Sequence, residues 1–271
     1  MSVPGGVTRA HTRFGHSREF DGAILTEKPQ ITSVASLLDA VENSGITSEP
    51  HAHVRAWFRG QGDASWTLRP GVYRAGFAET DDNRIRKERH LCQDFVTMSA
   101  ALRSHNQSQA EIYFLQQHYR MPTRLLDWSL SPLAAIFFAL EPQDKDGSLF
   151  IVDAYNFGTR GLCTPDSLEV RDAIKAIFEW NDKLWPKMIL AVRPAYQEWR
   201  ISAQRGCFTF HPPGFPELTN SDNDTLKKYL IPAGSKLKLR KELALLGVDE
   251  FTIFGDLDHL VERLKRAYRK S

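Results

Sequence analysis

The chain has 271 residues, 42% of them hydrophobic and 25% charged, which is enough apolar material for one large domain or two small ones. The net charge of +2 and a pI near 8.4 exclude a strong overall field of the kind that marks dedicated nucleic-acid or membrane binders, while leaving room for a local basic patch. No apolar run approaches the roughly 20 residues that span a bilayer, and the opening MSVPGGVTRAHTRFGHSREF lacks the apolar centre of a signal peptide.

The three cysteines, Cys92, Cys163 and Cys207, are far apart and form no CxxC pair. They read as reduced thiols of a cytoplasmic protein. Residues 1–33 read as a polar lead-in. With no internal repeat or low-complexity linker, 34–271 is expected to be one domain.

The first predicted helix runs from Val34 to Glu42, where Val34, Leu37, Leu38 and Val41 share one face, Ser33 is a cap and Gly45 a stop. HVRAWFRGQ follows as a strand, with Val54, Ala56 and Phe58 on one side and Arg55, Trp57 and Arg59 on the other. Helices are predicted over about Asn83–Arg103 and Gln109–Tyr119. MPTRLLDWSLSPLAAIFFAL then runs from a loop into an all-apolar, interior helix, with Ser131 as its N-cap and Pro132 at its first position. After a turn at Lys145-Asp146-Gly147 come a strand, SLFIVDA, and a helix from Asp166 to about Glu179. MILAVRP, GCFTF and KKYLIP are further strands. Two closing helices carry Leu239, Leu243 and Leu246, and then Leu257, Leu260, Val261 and Leu264. Strands and helices without a βαβ rhythm give an α+β class.

The chain has no GxGxxG, Walker loop, GxSxG or HExxH, and His51 with His53 lacks a third metal ligand. Three polar clusters hold the candidate chemistry. In WFRGQGDASWTLRPGVYR, Arg59 ends an apolar strand before Gly60-Gln61-Gly62. A guanidinium there suits a phosphate, glycines permit close approach of a ligand, and Arg69 adds a second cation; a carboxylate partner for Arg59 is the plainer alternative. In HYRMPTRLLDWSLS, Arg124 and Asp127 precede a helix start where Ser129 and Ser131 stand. That arrangement suits either a phosphate at free N–H groups or a buried Arg124–Asp127 ion pair with a capping serine. In RISAQRGCFTFHP, Arg200 and Gln204 precede Gly206 and an apolar strand, as a ligand group or as a polar strand edge. Trp57, Trp66, Trp128 and Trp199 accompany these clusters, for core packing or for stacking on a base.

The same clusters carry a resemblance. Trp57-Phe58-Arg59-Gly60-Gln61 with Leu68-Arg69-Pro70, His118-Tyr119, Pro122 to Trp128, Ser131 to Ala135, and Arg200 to Phe208 are similar to the FRG-domain family, with fitting segments at Leu243–Gly247 and Phe254–Leu260. A more distant likeness is to arginine-class ADP-ribosyltransferases. Trp57-Phe58-Arg59-Gly60 resembles their Tyr-Arg-Gly strand, and Trp128 to Ser131 with Ala135 to Ala139 resembles their Ser-Thr-Ser strand and following helix. Ala203 to Phe208 resembles their glutamate-bearing strand, with Gln204 in place of the glutamate.

The resemblance implies a mixed sheet surrounded by helices and an NAD-dependent ADP-ribosyltransferase, NAD being a substrate. Arg59 would grip the NAD diphosphate, Gln61 and Ser129 would position the ribose, and Asp127 or Gln204 would stabilise the oxocarbenium-like transition state. Gly60, Arg69, His118, Arg124, Trp128 and Ser131 complete the expected binding set, with no metal. The partners implied are NAD, a macromolecular target (RNA, DNA or protein) and an antitoxin or regulatory protein, as for a toxin or phage-defence effector, with no membrane. The alternatives are a non-catalytic nucleotide- or RNA-binding module and a metal-independent nuclease using His118 and Arg124.

Overall fold

A computed structural model describes residues 29–46, 55–104, 106–156, 161–194, 205–219 and 225–268. Among these the chain is an α+β domain around a seven-stranded mixed sheet. The strands are β1 (Ala56–Gln61), β2 (Leu125–Ser129), β3 (Gly147–Asp153), β4 (Leu162–Cys163), β5 (Leu190–Val192), β6 (Gly206–Phe210) and β7 (Leu226–Ile231), in the spatial order β4-β5-β6-β2-β1-β3-β7. The helices are α1 (Val34–Asn43), α2 (Asp81–Met98), α3 (Gln109–His118), α4 (Pro132–Ala139), α5 (Leu168–Phe178), α6 (Lys236–Leu245), α7 (Glu250–Phe254) and α8 (Leu257–Tyr268). No described helix is long and apolar enough to cross a membrane.

Two helical layers share one face of the sheet. Ala56 and Phe58 of β1 and Leu149 and Ile151 of β3 pack with Ala135, Ile136 and Ala139 of α4, Leu37 of α1, and Leu239 and Leu243 of α6. Beside them, Leu125 of β2 and Phe208 and Phe210 of β6 pack with Tyr113 and Phe114 of α3 and Ile174 and Ile177 of α5. On the opposite face Trp57, Leu126, Trp128, Phe150 and Cys207 are joined by Leu68 and Leu218 from loops. These burials follow the period-2 alternation of each strand.

Local sequence explains the element ends. Ser33 and Ser36 form a capping box on α1, Ser108 and Glu111 one on α3, and Ser131 caps α4 ahead of Pro132. The structure departs from the sequence reading at four places. Leu125–Ser129, read within a loop, is a central strand. The long second helix stops at Met98 rather than Arg103. The C-terminal segment folds as three helices, because Gly255 takes a left-handed φ of 68° and ends α7. Leu246, grouped with Leu239 and Leu243 on one helix face, is the residue just past α6 and is 56% exposed while the other two are buried.

Candidate nucleotide site at a parting of the sheet

β1 lies between β2 and β3 but is joined to them unequally. All six residues of β1, from Ala56↔Asp153 to Gln61↔Ser148, are paired with β3, whereas its register with β2 is the single pair Phe58↔Ser129. Beyond that pair the two strands part. Arg59 leaves β1 on the side of Trp57, Asp127 leaves β2 on the side of Leu125, and the two meet in the parting. The Arg59 Nη1–H donates to the Asp127 carbonyl at 2.5 Å and lies 3.9 Å from its Oδ2.

Arg59 is largely buried, with 14% of its side chain exposed, and its Nε is buried without a hydrogen-bond partner. Burial lowers its pKa to about 10, against the pull of Asp127 and with a push from the neighbouring positive charge of Arg74. The group therefore stays cationic at neutral pH while poorly solvated and close to a second guanidinium. An incoming anion would relieve both penalties. Arg74 is exposed and donates through Nε to the Arg69 carbonyl; Arg69 pairs with Glu217 at 2.6 Å.

The Asp127 side chain is 59% exposed and is held from one side. Gln117 Nε2 donates to Oδ1 and Oδ2, both at 2.9 Å, and the Gln117 Oε1 accepts from the hydroxyl of buried Thr123. A line of side chains thus runs from the core to an exposed carboxylate. Gln117 and Arg74 were not singled out in the sequence. Their signal was their place, Gln117 one residue before His118 on α3 and Arg74 just after Arg69-Pro70, but nothing in either pattern names the strand gap they reach.

Several expected ligand groups have structural work instead. Arg124 is fully buried: its Nε donates to Glu88 Oε2 at 2.7 Å, its Nη1 to the Tyr73 hydroxyl, and its guanidinium lies 4.6 Å from the Trp185 ring centroid. Burial, the largest single influence, works to lower its pKa, but the Glu88 charge and hydrogen bond together with Tyr73 and Tyr113 outweigh it and raise the pKa. The ion pair foreseen with Asp127 is therefore made with Glu88. Trp128 is 3% exposed in the core and donates from Nε1 to Thr209 Oγ1 at 3.1 Å, so its ring is closed to a base or nicotinamide.

Ser131 caps α4, and the Ser129 Oγ accepts from the Ser131 N–H at 2.9 Å. Gln61 is buried and donates to the Thr67 carbonyl at 3.3 Å. A Cβ on Gly60 would lie 1.8 Å from the Ala135 carbonyl oxygen, and one on Gly62 1.5 Å from that of Glu141. Both glycines are explained by close packing of α4 and its exit on β1, not by ligand approach. His118 is half-buried at the end of α3, stacked edge-on against Tyr119.

Gln204 and Arg200, with Trp199, His51 and His53, lie outside the described residues. No group of three His, Cys, Asp or Glu side chains among the described residues is placed to hold a metal. Two described concavities, of about 180 and 470 Å³, are lined by other residues than Arg59 and Asp127.

Residues 54–148 match the FRG domain. The FRG match covers about a third of the chain and takes in β1, β2 and α4, with Arg59, Arg74, Gln117 and Asp127; β5, β6 and Gln204 fall beyond it. No curated protein and no solved structure matches the chain.

Proposed function

We propose that this chain is an NAD-dependent ADP-ribosyltransferase-like protein whose reaction centre is the notch between β1 and β2. The observation that carries the reading is the meeting of Arg59, a poorly solvated cation with a buried free Nε, and Asp127, an exposed carboxylate, where the sheet parts. In this reading Arg59, with Arg74 nearby, takes the diphosphate of NAD. Asp127 faces the nicotinamide ribose.

As the bond between ribose C1 and the nicotinamide nitrogen breaks, nicotinamide leaves with the electron pair. Positive charge builds on the ribose, and the Asp127 carboxylate stabilises it through space. An oxygen or nitrogen nucleophile of RNA, DNA or protein then forms the new bond to C1 and loses its proton. Gln117 holds both carboxylate oxygens and so fixes Asp127 for that task. Gln204 is the candidate for a neutral hydrogen bond to the ribose, since Ser129 and Gln61 are buried and bonded within the protein.

A non-catalytic nucleotide-binding module is the second reading. It is favoured by the glutamine at position 204, which supplies no charge to an oxocarbenium-like transition state.

The two readings separate on nicotinamide release from NAD by purified protein. The transferase reading expects release that falls at least about a hundredfold in Arg59→Ala and in Asp127→Asn. Release equal in both variants and the parent would reject the assignment of the site. NAD binding that requires Arg59 but yields no nicotinamide would leave the binding module.

A further inference from the structure

A different face of the molecule combines two cations that meet no carboxylate among the described residues with an exposed aromatic ring. The open concavity of about 470 Å³ runs along α2 and is lined by Phe77, Glu79, Asn83, Arg86, Lys87 and His90, among others. Arg86 and Lys87 are exposed and meet no carboxylate among the described residues: Arg86 donates to the Asn83 side-chain oxygen at 2.6 Å, and Lys87 to the Phe77 carbonyl at 2.7 Å. Their neighbours differ, since Arg84 pairs with Asp81 and Arg89 with Asp182. Glu79 is the one carboxylate lining the groove.

Beyond His90 stands Trp180, which follows α5. Its φ of 56° is left-handed, at a helix end where glycine is usual. The indole is fixed there by the Arg89 guanidinium 5.3 Å from its ring and by the edge of His90, 5.2 Å away at 78°, yet the residue is 41% exposed. A large aromatic held in a disfavoured backbone conformation and left open to solvent is a surface that core packing does not explain.

We infer that this groove, together with Trp180 beside its His90, binds single-stranded nucleic acid. The cations would take backbone phosphates with release of counterions, and the indole would stack on a base. Arg86 and His90 are one helical turn apart, so the cations and the ring lie along one line that a flexible strand can follow. Phosphates alone would satisfy the cations, but only a base uses the ring.

The test is fluorescence anisotropy of the full chain with labelled oligouridylate and oligothymidylate of about 12 nucleotides, within the ~4–16 that small single-strand sites cover, over about 50 to 200 mM salt. Saturable binding that weakens with salt is expected, and the two oligomers decide between RNA and DNA. Arg86→Ala with Lys87→Ala should weaken binding about tenfold at the lowest salt and reduce the slope of log affinity against log salt by about 1.4, for two phosphates. Trp180→Leu should weaken it about tenfold at unchanged slope, and Trp180→Phe should restore most of the loss. Absence of saturable binding to either oligomer would overturn the inference, as would affinities unmoved by these substitutions. Loss on removing the cations with Trp180→Leu binding as the parent would also overturn it, pointing to a plain anion patch such as an acidic peptide would use.

Discussion

Arg59 and Arg124 show how little a residue's type tells of its work until its partners are known. Both stand beside an apolar strand and both looked suited to phosphate. Arg59 ends in a gap with an orphan Nε, whereas Arg124 is locked to Glu88 from α2, 36 positions away in the chain. That distance is why the second outcome was illegible: the sequence shows Arg124 near Asp127 but not that α2 brings Glu88 over it. Breaking the buried pair should therefore cost stability. Arg124→Met or Glu88→Gln alone is expected to destabilise by about 3–5 kcal/mol, and the double change Arg124→Met with Glu88→Leu by clearly less than either, in urea unfolding.

His211 gives a pH-dependent counterpart. Its Nδ1–H donates to the Phe215 carbonyl at 3.2 Å and its Nε2 accepts from Thr209 at 2.9 Å, so it is buried neutral. Burial, with smaller pushes from Arg59 and Arg124, lowers its pKa from 6.5 to about 3. Between those values the unfolded chain binds the extra proton, so stability should fall as pH drops below 6.5. By about pH 5 the loss from this group is about 2 kcal/mol. His211→Gln should show a correspondingly flatter dependence in melts at pH 7 and 5, and equal slopes would refute this role.

Among the elements, those built on strong local signals were readable before the structure. α1, α3 and α4 have their caps in the sequence, β3 is a continuous apolar run after a Lys-Asp-Gly turn, and β1 opens on the apolar Ala56-Trp57-Phe58. β2 was harder, because its five residues include Asp127 and its pairing is made with β6, far along the chain. The two glycines after Arg59 were visible, but their purpose was not. Neither takes a positive φ, so they are there for space: α4 rests on β1 where a side chain would stand. Gly60→Ala should cost about 3 kcal/mol, since the obstacle is the backbone of Ala135 and cannot rotate aside. A thermal melt like the parent's would show that α4 can shift freely. If α4 does shift, the Phe58↔Ser129 contact and the spacing of Arg59 from Asp127 should shift with it.

Taken as a single body, the protein is a mixed sheet with helices over one face and loops over much of the other, and a notch where the central strands part. The α+β class was legible because the order of strands and helices follows from their patterns. The strand order was not, because register depends on contacts between distant segments. Of the candidate site, Arg59 and Asp127 were legible as residues and their meeting was not; Arg74 and Gln117 emerged only with the fold. The most direct measurement of the central claim supplies NAD labelled on its adenylate half to the purified chain in cell extract, beside Arg59→Ala and Asp127→Asn. Label entering RNA, DNA or protein with the parent alone is the predicted result and names the target class. Label transferred equally by all three would contradict the assignment of chemistry to the Arg59–Asp127 notch.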